Sequence, residues 1–290
     1  MSIIIITILL FLIYACLIIY YRQSWLAIPI DNGQLAWDKQ FSIFISVIIP
    51  ARNEEENIQA CLDSITNQGY PKNLFEVIVV DDFSTDRTVE IVNSFANKNV
   101  SLLSLKDFAK EGELNSYKKK AIEIAISKAN GELIITTDAD CIVQNKWLET
   151  IARFYEKYNP AFIAAPVAYH GETNFLKIFQ SLDFMMLQGI TGASVYKKFH
   201  SMCNGANLAY EKKVFLEVDG FAGIDNIASG DDMLLMHKIF NRYPDKVLFL
   251  KSRDAIVQTK PAGTLQEFLN QRIRWASKAD KYTDKKITGV

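Results

Sequence analysis

The chain has 290 residues, of which 49% are hydrophobic, so it can bury one sizeable core but is short for two full domains. Its 32 lysines and arginines nearly balance its 33 aspartates and glutamates, so no overall basic field attracts nucleic acid and no nucleic-acid partner is expected. The four cysteines form no CxxC or Cys/His cluster, which argues against structural zinc and suits a reducing compartment. We therefore expect one globular domain with an anchor.

The amino terminus carries the clearest physical signal. Residues 3–21 contain no charge, and at ~1.5 Å rise per residue a helix of this length crosses the hydrocarbon core of a bilayer. A cleaved signal peptide would have a basic start, a shorter apolar stretch and a small-residue cleavage site, so residues 1–22 are predicted to be an uncleaved transmembrane anchor. Arg22 closes the stretch, and the positive-inside tendency then places the rest of the chain in the cytoplasm, at the inner membrane.

Two segments are predicted to lie outside the globular domain. Residues 23–42 contain Pro29 and Gly33 without a sustained hydrophobic period, which indicates a juxtamembrane linker. Residues 279–290 form a polar tail. The globular domain is therefore predicted to occupy residues 43–278.

Strands and helices are predicted to alternate through this domain. Apolar and β-branched runs of strand length occupy residues 43–49, 75–80, 100–105, 132–137 and 162–167. Apolar residues at helical spacing lie within residues 54–65, 89–95, 121–129, 145–157, 175–192, 234–239 and 264–275, and Asn53 is the predicted cap of the first helix. Strands that alternate with helices are joined by right-handed crossovers, so we predict an α/β fold with a mostly parallel central sheet and helices on both faces.

The helix predicted over residues 175–192 is rich in methionine and leucine. We predict a buried core helix, and an amphipathic helix on the membrane surface is the alternative.

Charged side chains follow three of the predicted strands. Arg52 follows the first strand, Asp81 and Asp82 follow the second, and Asp138 and Asp140 follow the fourth. Ligands bind beyond the carboxyl ends of strands in open parallel sheets, so these side chains should gather at one edge. Asp138 and Asp140 are two residues apart on extended backbone, so both can present oxygens to one hard divalent cation that holds a diphosphate. The alternative is a turn that caps a helix.

The order of short motifs in this chain resembles that of the inverting family 2 glycosyltransferases. The motifs are SVIIPARNEE, EVIVVDDFSTD, the lysines before AIEIAI, TDAD, NGANLAY, SGDD and QRIRW, and they cover about residues 46–275. QRIRW is similar to the Gln-x-x-Arg-Trp signature of the membrane-bound branch that includes processive polysaccharide synthases. The resemblance implies a GT-A fold, a nucleotide-sugar donor, a saccharide or lipid-linked acceptor, and Mg²⁺ or Mn²⁺. Proteins of this type often continue into carboxyl-terminal membrane helices, so the chain is expected to be a fragment or a shorter variant.

The resemblance also implies which residues surround the nucleotide. Pro50, Arg52 and Glu54 would line the pocket, and Asp82 would accept a hydrogen bond from the imide of the base, with Asp81 as the alternative. A carboxylate accepts hydrogen bonds only, which suits the uracil N–H, so a UDP-sugar is the expected donor. The acids of this doublet also fit a turn with helix capping.

A lysine and the aspartate pair are expected near the phosphates. Lys118 matches the family lysine near the base or phosphates, but Tyr117 stands where glycine is usual, so Lys118 and Lys119 both remain candidates. Alternatively, the lysines are a solvated first turn of a helix. Asp138 and Asp140 would hold the metal and the diphosphate, which neutralises charge on the departing nucleoside diphosphate.

Asp232 corresponds to the general base of the resembling family, and Asp231 replaces the usual glutamate and is the reserve candidate. A carboxylate in hydrogen-bond reach of the acceptor hydroxyl can take its proton as the anomeric carbon is attacked, which gives inversion. Both acids also fit helix caps.

The remaining implied site residues belong to the acceptor and diphosphate side: Asn204, Gly205, Gln271, Arg272, Arg274 and Trp275. Gln271 and Trp275 would border the acceptor sugar, and Arg274 would bind the diphosphate through its guanidinium fork. The alternatives are an ordinary turn at Asn204, a core position for Trp275 and a surface position for Arg272.

Two other functions are compatible with parts of the sequence. A nucleotidyltransferase would also combine acids and a metal, but the glycine- and basic-rich phosphate loop expected for one is not found near the first strand. A noncatalytic, membrane-tethered partner of a separate synthase is the other alternative.

Overall fold

The structure is a computed structural model that describes residues 2–31, 40–171, 173–198, 202–227 and 230–276. The helices are α1 (Ser2–Ala27), α2 (Ile58–Thr66), α3 (Thr88–Asn93), α4 (Tyr117–Lys128), α5 (Trp147–Tyr158), α6 (Phe175–Tyr196), α7 (Lys212–Glu217), α8 (Met233–Arg242) and α9 (Leu265–Ala276). The strands are β1 (Ile45–Ala51), β2 (Phe75–Asp81), β3 (Val100–Ser104), β4 (Leu133–Thr136), β5 (Ile142–Val143), β6 (Phe162–Ala164), β7 (Val167–Tyr169), β8 (Leu208–Glu211), β9 (Val247–Phe249) and β10 (Val257–Thr259). The predicted tail, residues 32–39 of the predicted linker and the serine of SGDD lie outside the described residues.

Within the described residues, seven strands form a central sheet in the order β3-β2-β1-β4-β8-β6-β9. Strands β3, β2, β1 and β4 are parallel to one another, and β6 is parallel to β9. Strand β8 lies between β4 and β6 and runs antiparallel to both. The predicted α/β fold with a mostly parallel sheet is therefore confirmed.

The side chains of the parallel strands alternate between two hydrophobic cores. In β1, Val47 and Ile49 pack on the side covered by α2, α3 and α5, whereas Ile48 packs on the side covered by α4, α7 and α8. Successive side chains of a strand point to opposite faces, so strands covered by helices on both faces need apolar residues throughout. This explains the nearly continuous apolar runs in the sequence.

Two element boundaries, the end of β1 and the start of α2, differ from the sequence-based prediction. Strand β1 continues through Pro50 because its ladder with β4 ends at Ile48, so the missing N–H of Pro50 interrupts no hydrogen bond to that strand. Helix α2 begins at Ile58 because Asn53 has a φ of +55°, in the left-handed region. The prediction of Asn53 as a helix cap is wrong. Its side-chain oxygen instead accepts a hydrogen bond from the backbone N–H of Thr85 at 2.8 Å.

A second sheet, in the order β5-β10-β7, is absent from the sequence-based prediction. The strand predicted over residues 162–167 divides at Pro166 into β6, in the central sheet, and β7, in the second sheet. Strands of two or three residues are too short for a hydrophobic period to identify. In this second sheet, β5, which follows Asp140, pairs with β10, which precedes α9. The second sheet therefore brings the α9 end of the chain close to Asp140.

Helix α1 continues five residues past Arg22, so the predicted linker starts as helix. Ser24 is 1% exposed, and the Trp25 ring lies 5.8 Å from the Phe249 ring at the end of β9. The Lys251 ammonium donates to the Trp25 carbonyl at 2.7 Å. This docking on the globular domain extends the helix. The segment 3–27 contains an 18-residue window with a mean hydropathy of 3.1 and is long enough to cross a membrane.

Helix α6 buries two glutamines together with Phe184 and residues 191–195, and it exposes a row of large apolar side chains. Gln180 is fully buried and exchanges two hydrogen bonds with the backbone of Ala262, and Gln188 accepts one from the backbone N–H of Val167. The exposed side carries Phe175, Ile178, Phe179, Leu182, Met185 and Met186. The prediction of a core helix is therefore wrong, because the glutamines are needed inside to pair with backbone groups.

Candidate active site

Residues predicted to act together meet at one edge of the central sheet. Strands β2, β1 and β4 are parallel neighbours, so their carboxyl ends bring Asp82, Arg52 and Asp138 to the same edge. The backbone N–H of Asp82 donates to the carbonyl of Ala51 at 2.8 Å, which joins the ends of β2 and β1. Pro50 lies just inside this edge, in β1.

The two acids of the Asp81-Asp82 doublet have different surroundings. Asp81 is 2% exposed, and its Oδ1 accepts a hydrogen bond from the backbone N–H of Ser84 at 3.1 Å. Asp82 Oδ2 lies 3.9 Å from the Arg52 guanidinium, and Asp82 Oδ1 is buried without a hydrogen-bond partner in the described part of the chain. Desolvation raises the pKa of Asp82, against the opposing effect of Arg52. Asp82 therefore carries an acceptor atom that a ligand can use.

Aromatic side chains lie beside the Asp82 pocket. The Arg52 guanidinium carbon is 5.9 Å from the centre of the Tyr117 ring, and Tyr117 meets Phe83 edge-on, with 6.0 Å between the ring centroids. Arg52 also donates to Glu111 at 2.9 Å. Tyr117, which replaces the glycine of the resembling proteins, thus gives this pocket an aromatic wall.

Negative charge is concentrated after β4. Desolvation raises the pKa of Glu54, and the carboxylates of Asp140 and Asp138 raise it further. Burial, with the same two aspartates, raises the pKa of the Cys61 thiol. Asp140 Oδ2 accepts a hydrogen bond from the Thr259 hydroxyl of β10 at 3.0 Å. The second sheet therefore orients the Asp140 carboxylate. This carboxylate and that of Asp138 lie close enough to Glu54 to raise its pKa.

This arrangement fits a divalent cation that shares its ligands with a phosphate compound. The prediction that Asp138 and Asp140 lie on extended backbone is wrong, because they lie in a turn in which the Cys141 N–H donates to the Asp138 carbonyl at 3.2 Å. Mg²⁺ is commonly held by one or two carboxylates, with substrate phosphates and water as the other ligands, and these two aspartates supply that number. Among the residues that the structure describes, no group of three or more His, Cys, Asp or Glu side chains forms a fuller set of ligands. A cation bound here would therefore depend on ligands from its phosphate partner.

Lys118 connects the strand-end acids to the acid doublet before α8. Its ammonium lies 2.7 Å from Asp138 Oδ1 and 3.2 Å from Asp231 Oδ2. Desolvation works against its charge, but the carboxylates of Asp138 and Asp231 hold the pKa of Lys118 well above its ordinary value. Lys118, and not Lys119, is therefore the lysine that faces the acids.

Gly205 approaches this ion cluster closely. A Cβ atom on Gly205 would lie 3.2 Å from Asp231 Oδ2 and 3.3 Å from the Lys118 ammonium, so a side chain there would displace one of them. The side-chain oxygen of Asn204 accepts a hydrogen bond from the backbone N–H two residues later at 3.0 Å, so Asn204 shapes the turn that presents Gly205.

Asp231 and Asp232 lie at the amino end of α8, where the helix dipole stabilises negative charge. Asp231 is directed to Lys118, whereas Asp232 is the N-cap residue and its Oδ1 accepts a hydrogen bond from the backbone N–H of Met233 at 2.7 Å. Asp231 therefore pairs with the Lys118 ammonium, whereas Asp232, which also contributes to the field on Lys118, caps the helix.

Arg272 of α9 is bound to α6. It forms an ion pair with Asp183, and its guanidinium carbon lies 4.4 Å from the centre of the Trp275 ring, which in turn lies 6.0 Å from the Phe184 ring. Its Nη1 is buried without a hydrogen-bond partner in the described ranges. The structure thus places Arg272 between the two helices, whereas Arg274 is on the exposed side of α9.

Gln271 is linked to the metal-side acids through Tyr169. The Tyr169 hydroxyl donates to Gln271 Oε1 at 3.3 Å. Desolvation raises the pKa of Tyr169, and Asp140 is among the nearby charges that add to this. The second sheet thus brings the start of the QRIRW motif near Asp140.

Sequence reasoning missed Thr259 and Tyr169. Both lie in strands of three residues, and a single threonine or tyrosine in so short a strand has no pattern that marks it as part of a site. Only their position opposite Asp140 and Gln271 shows what they do.

A sequence model of the family described as Glycosyl transferase family 2 matches residues 46–218. The curated relatives include the glycosyltransferase AglE of Haloferax volcanii, which is 42% identical over 106 residues, or 37% of this chain and 33% of that protein. The chain spans less than two thirds of the length of the curated relatives that it matches first.

Solved structures show the same fold. The mannosyltransferase PcManGT of Pyrobaculum calidifontis, in complex with GDP-Man and Mn²⁺, matches with a TM-score of 0.68 and 22% identity over 93% of this chain and 73% of that one. Residues 1–349 of TarS from Staphylococcus aureus, in complex with UDP-GlcNAc, match with a TM-score of 0.57 and 21% identity over 77% of this chain and 60% of that one. The expected GT-A fold is confirmed.

Proposed function

Since the chain belongs to glycosyl transferase family 2, we propose that it transfers a sugar, with inversion, from a UDP-sugar to a saccharide or lipid-linked acceptor at the cytoplasmic face of a membrane. The reaction would depend on Mg²⁺ or Mn²⁺. Asp138 and Asp140 would hold the metal and the diphosphate, and Asp232 would be the general base.

The observation that carries this proposal is the ion cluster around Lys118. Asp138, at the end of β4, and Asp231, at the start of α8, are far apart in sequence but bind the same ammonium group. These contacts support a site in which a donor-side acid and the acid doublet act together, as a direct displacement between donor and acceptor requires. Proximity of the reacting groups supplies much of the rate enhancement in such reactions.

The environment of Asp82 supports a base with an imide N–H. Its buried Oδ1 has no hydrogen-bond partner in the described residues, and a carboxylate oxygen can only accept. Uracil offers one imide N–H, so a single open acceptor beside Tyr117 suits uridine. Of the solved neighbours, TarS is in complex with UDP-GlcNAc and PcManGT with GDP-Man, so the preference of this chain for uridine over guanosine needs a direct test.

The two aspartates after β4 support metal dependence, and PcManGT, a neighbour in fold, is in complex with Mn²⁺. When bound, a divalent cation neutralises charge on the leaving diphosphate. Thr259 would hold the Asp140 carboxylate in place through its 3.0 Å hydrogen bond. Groups that orient a metal ligand in this way tune metal affinity.

In the transfer step, Asp232 would take the proton of the acceptor hydroxyl as its oxygen bonds to the anomeric carbon and the bond from that carbon to the diphosphate oxygen breaks. Asp231 is the weaker candidate because its carboxylate is paired with the Lys118 ammonium at 3.2 Å. A nearby positive charge favours the ionised carboxylate and lowers its basicity.

Two surfaces support a membrane location and a lipid-linked acceptor. The apolar residues 3–19 of α1 are mostly exposed, as expected for a helix that meets lipid. Helix α6 also exposes a row of apolar side chains, and its Phe179 packs edge-on against the buried Phe268 of α9, with 6.1 Å between the ring centroids. The exposed apolar residues of α9 are Leu265, Leu269 and Ile273.

The function is tested with membranes that contain the protein, supplied with panels of UDP-sugars and GDP-sugars and with Mn²⁺. We expect release of UDP and a labelled saccharide or glycolipid with inverted anomeric configuration. Release of pyrophosphate would indicate a nucleotidyltransferase, and the absence of any Mn²⁺-dependent nucleotide binding would indicate a noncatalytic partner. Preference for GDP-sugars would contradict the proposed role of Asp82 in selecting uridine.

A further inference from the structure

Three successive lysines at the start of α4 have different surroundings. Lys118 binds the acids, and Lys120 is 41% exposed beside Glu123. Lys119, between them, is 2% exposed and is one of the largest fully buried side chains of the described residues. Successive residues of a helix point ~100° apart, so these three side chains leave the helix toward the acids, the interior and solvent. A lysine is almost never buried in this way unless it is paired.

The Lys119 ammonium binds backbone carbonyls of a distant segment. It donates to the carbonyl of Ile224 at 2.6 Å and to that of Ile227 at 2.8 Å. Both carbonyls belong to the turns that follow α7, where no ladder or helix supplies partners. The Ile224 carbonyl also accepts from the backbone N–H of Ile227 at 3.3 Å, so the ammonium group, which offers three donors, joins the two ends of this turn.

The position of Ile227 gives this contact its significance. Ile227 is three residues before Gly230 and four before Asp231, so Lys119 fixes the chain just ahead of the acid doublet. Its neighbour Lys118 binds Asp231 itself. A single turn of α4 therefore holds both the doublet and the segment that leads into it.

A second lysine holds the opposite end of the same segment. Lys238 of α8 donates to the carbonyls of Gly220 at 2.7 Å and Ala222 at 2.8 Å. Lys119 and Lys238 thus make the same kind of contact, but only the Lys119 contact lies beside the acids. This provides a matched control within the chain.

We propose that Lys119 is a positioning residue for the transfer reaction, which holds the acid doublet at its working distance from the donor-side acid Asp138. The inference rests on the proposed function. A misplacement of catalytic groups by about 1 Å can cost about 10²-fold in rate, so loss of the Lys119 contact should lower turnover without weakening nucleotide binding. The proposed nucleotide contacts are at Asp82 and the strand ends, whereas the Lys119 ammonium binds the carbonyls of Ile224 and Ile227 in the segment that leads to the acid doublet.

The test compares Lys119→Met with Lys238→Met and Lys120→Met in the full chain. For Lys119→Met we expect a fall of about 10²-fold in kcat, with donor KM and UDP affinity within about twofold of the parent. Lys238→Met should also lower thermal stability, by less than Lys119→Met because Lys238 is only half-buried, but should keep kcat within about threefold of the parent. Lys120→Met should leave both properties unchanged.

Hydrogen exchange provides a readout that does not depend on activity. Lys119→Met should speed exchange of amides in residues 224–227 and 230–236 by about tenfold or more, whereas Lys238→Met should affect residues 219–222. Lys119→Gln, which retains an uncharged amide with two N–H donors on a shorter side chain, should show intermediate effects on exchange and kcat and serves if the methionine variant does not fold.

Equal losses of kcat in the Lys119 and Lys238 variants would overturn the proposal, because both lysines would then act only through stability. Unchanged exchange in residues 224–236 of Lys119→Met or Lys119→Gln would also overturn it. If the parent itself transferred no sugar, the proposed function would fail, and the exchange data would still decide whether Lys119 fixes the acid doublet.

Discussion

Replacement of Lys118 by methionine is the sharpest electrostatic perturbation that the site offers. The change keeps the apolar stem of the side chain but removes an ammonium that lies 2.7 Å from Asp138 and 3.2 Å from Asp231. At an effective dielectric constant of about 20, unit charges ~3 Å apart interact by about 5 kcal/mol. Because the Lys118 side chain is 35% exposed, solvent screening and the cost of ordering the pair reduce the net value to about 1–2 kcal/mol.

Thermal unfolding without metal should therefore show a Tm for Lys118→Met that is about 2–8 °C below that of the parent, at ~2–4 °C per kcal/mol for a domain of this size. High salt should shrink the difference. Added Mn²⁺ should raise the Tm of Lys118→Met by more than it raises the Tm of the parent. In the variant, the Lys118 ammonium no longer competes with the cation for the Asp138 carboxylate. Lys120→Met is the control, and we expect no change in Tm.

Equal Tm values for Lys118→Met and Lys120→Met would refute the reasoning, since the ion cluster would then contribute nothing. A smaller Mn²⁺ response in Lys118→Met than in the parent would show that Lys118 assists the cation, and would contradict the placement of the metal beside Asp138.

Three further variants test other parts of the site and the fold. Asp82→Asn should raise the Tm at pH 7 while weakening UDP binding. In the folded protein the pKa of Asp82 lies above its ordinary value of 3.8, so ionisation of this carboxyl destabilises the fold at pH 7. The gain in Tm should vanish below pH 3.8, where the carboxyl is protonated in both the folded and the unfolded protein. Thr259→Val should lower Mn²⁺ affinity in the presence of UDP by about 10- to 100-fold, measured by calorimetry, because Asp140 loses its orienting hydroxyl. Leu182→Ser, on the exposed apolar side of α6, should change the free energy of unfolding in detergent by less than about 0.5 kcal/mol, whereas Phe184→Ser, which is 3% exposed, should cost about 3 kcal/mol or more. A lowered Tm for Asp82→Asn, unchanged Mn²⁺ affinity for Thr259→Val, or similar losses in the two serine variants would contradict the respective argument.

Much of the central sheet could be predicted because the relevant physics is local. The runs around Val47, Val77 and Ile135 are apolar on both faces, which is typical of parallel strands covered by helices, and the charged residues that follow them mark the carboxyl edge. The convergence of Arg52 and Asp138 then follows from the parallel arrangement alone.

The parts that could not be predicted depend on partners distant in sequence. The hydrophobic pattern of α6 gives no sign that Gln180 faces inward, because its partner is the backbone of Ala262 in another segment. Likewise, three consecutive lysines look alike in sequence, and only the carbonyls of Ile224 and Ile227 distinguish Lys119 from its neighbours. Short strands such as β7 and β10 exist because they pair with each other, which no local propensity indicates.

The acids at the strand ends and the acid before α8 are proposed to perform separate tasks in one site, and one paired measurement tests this most directly. Mn²⁺-dependent UDP binding and sugar transfer are measured for Asp140→Ala and Asp232→Asn beside the parent. We predict that Asp140→Ala loses both properties, whereas Asp232→Asn binds UDP with Mn²⁺ within about twofold of the parent but transfers sugar at least ~10²-fold more slowly. Transfer that survives in both variants would contradict the account.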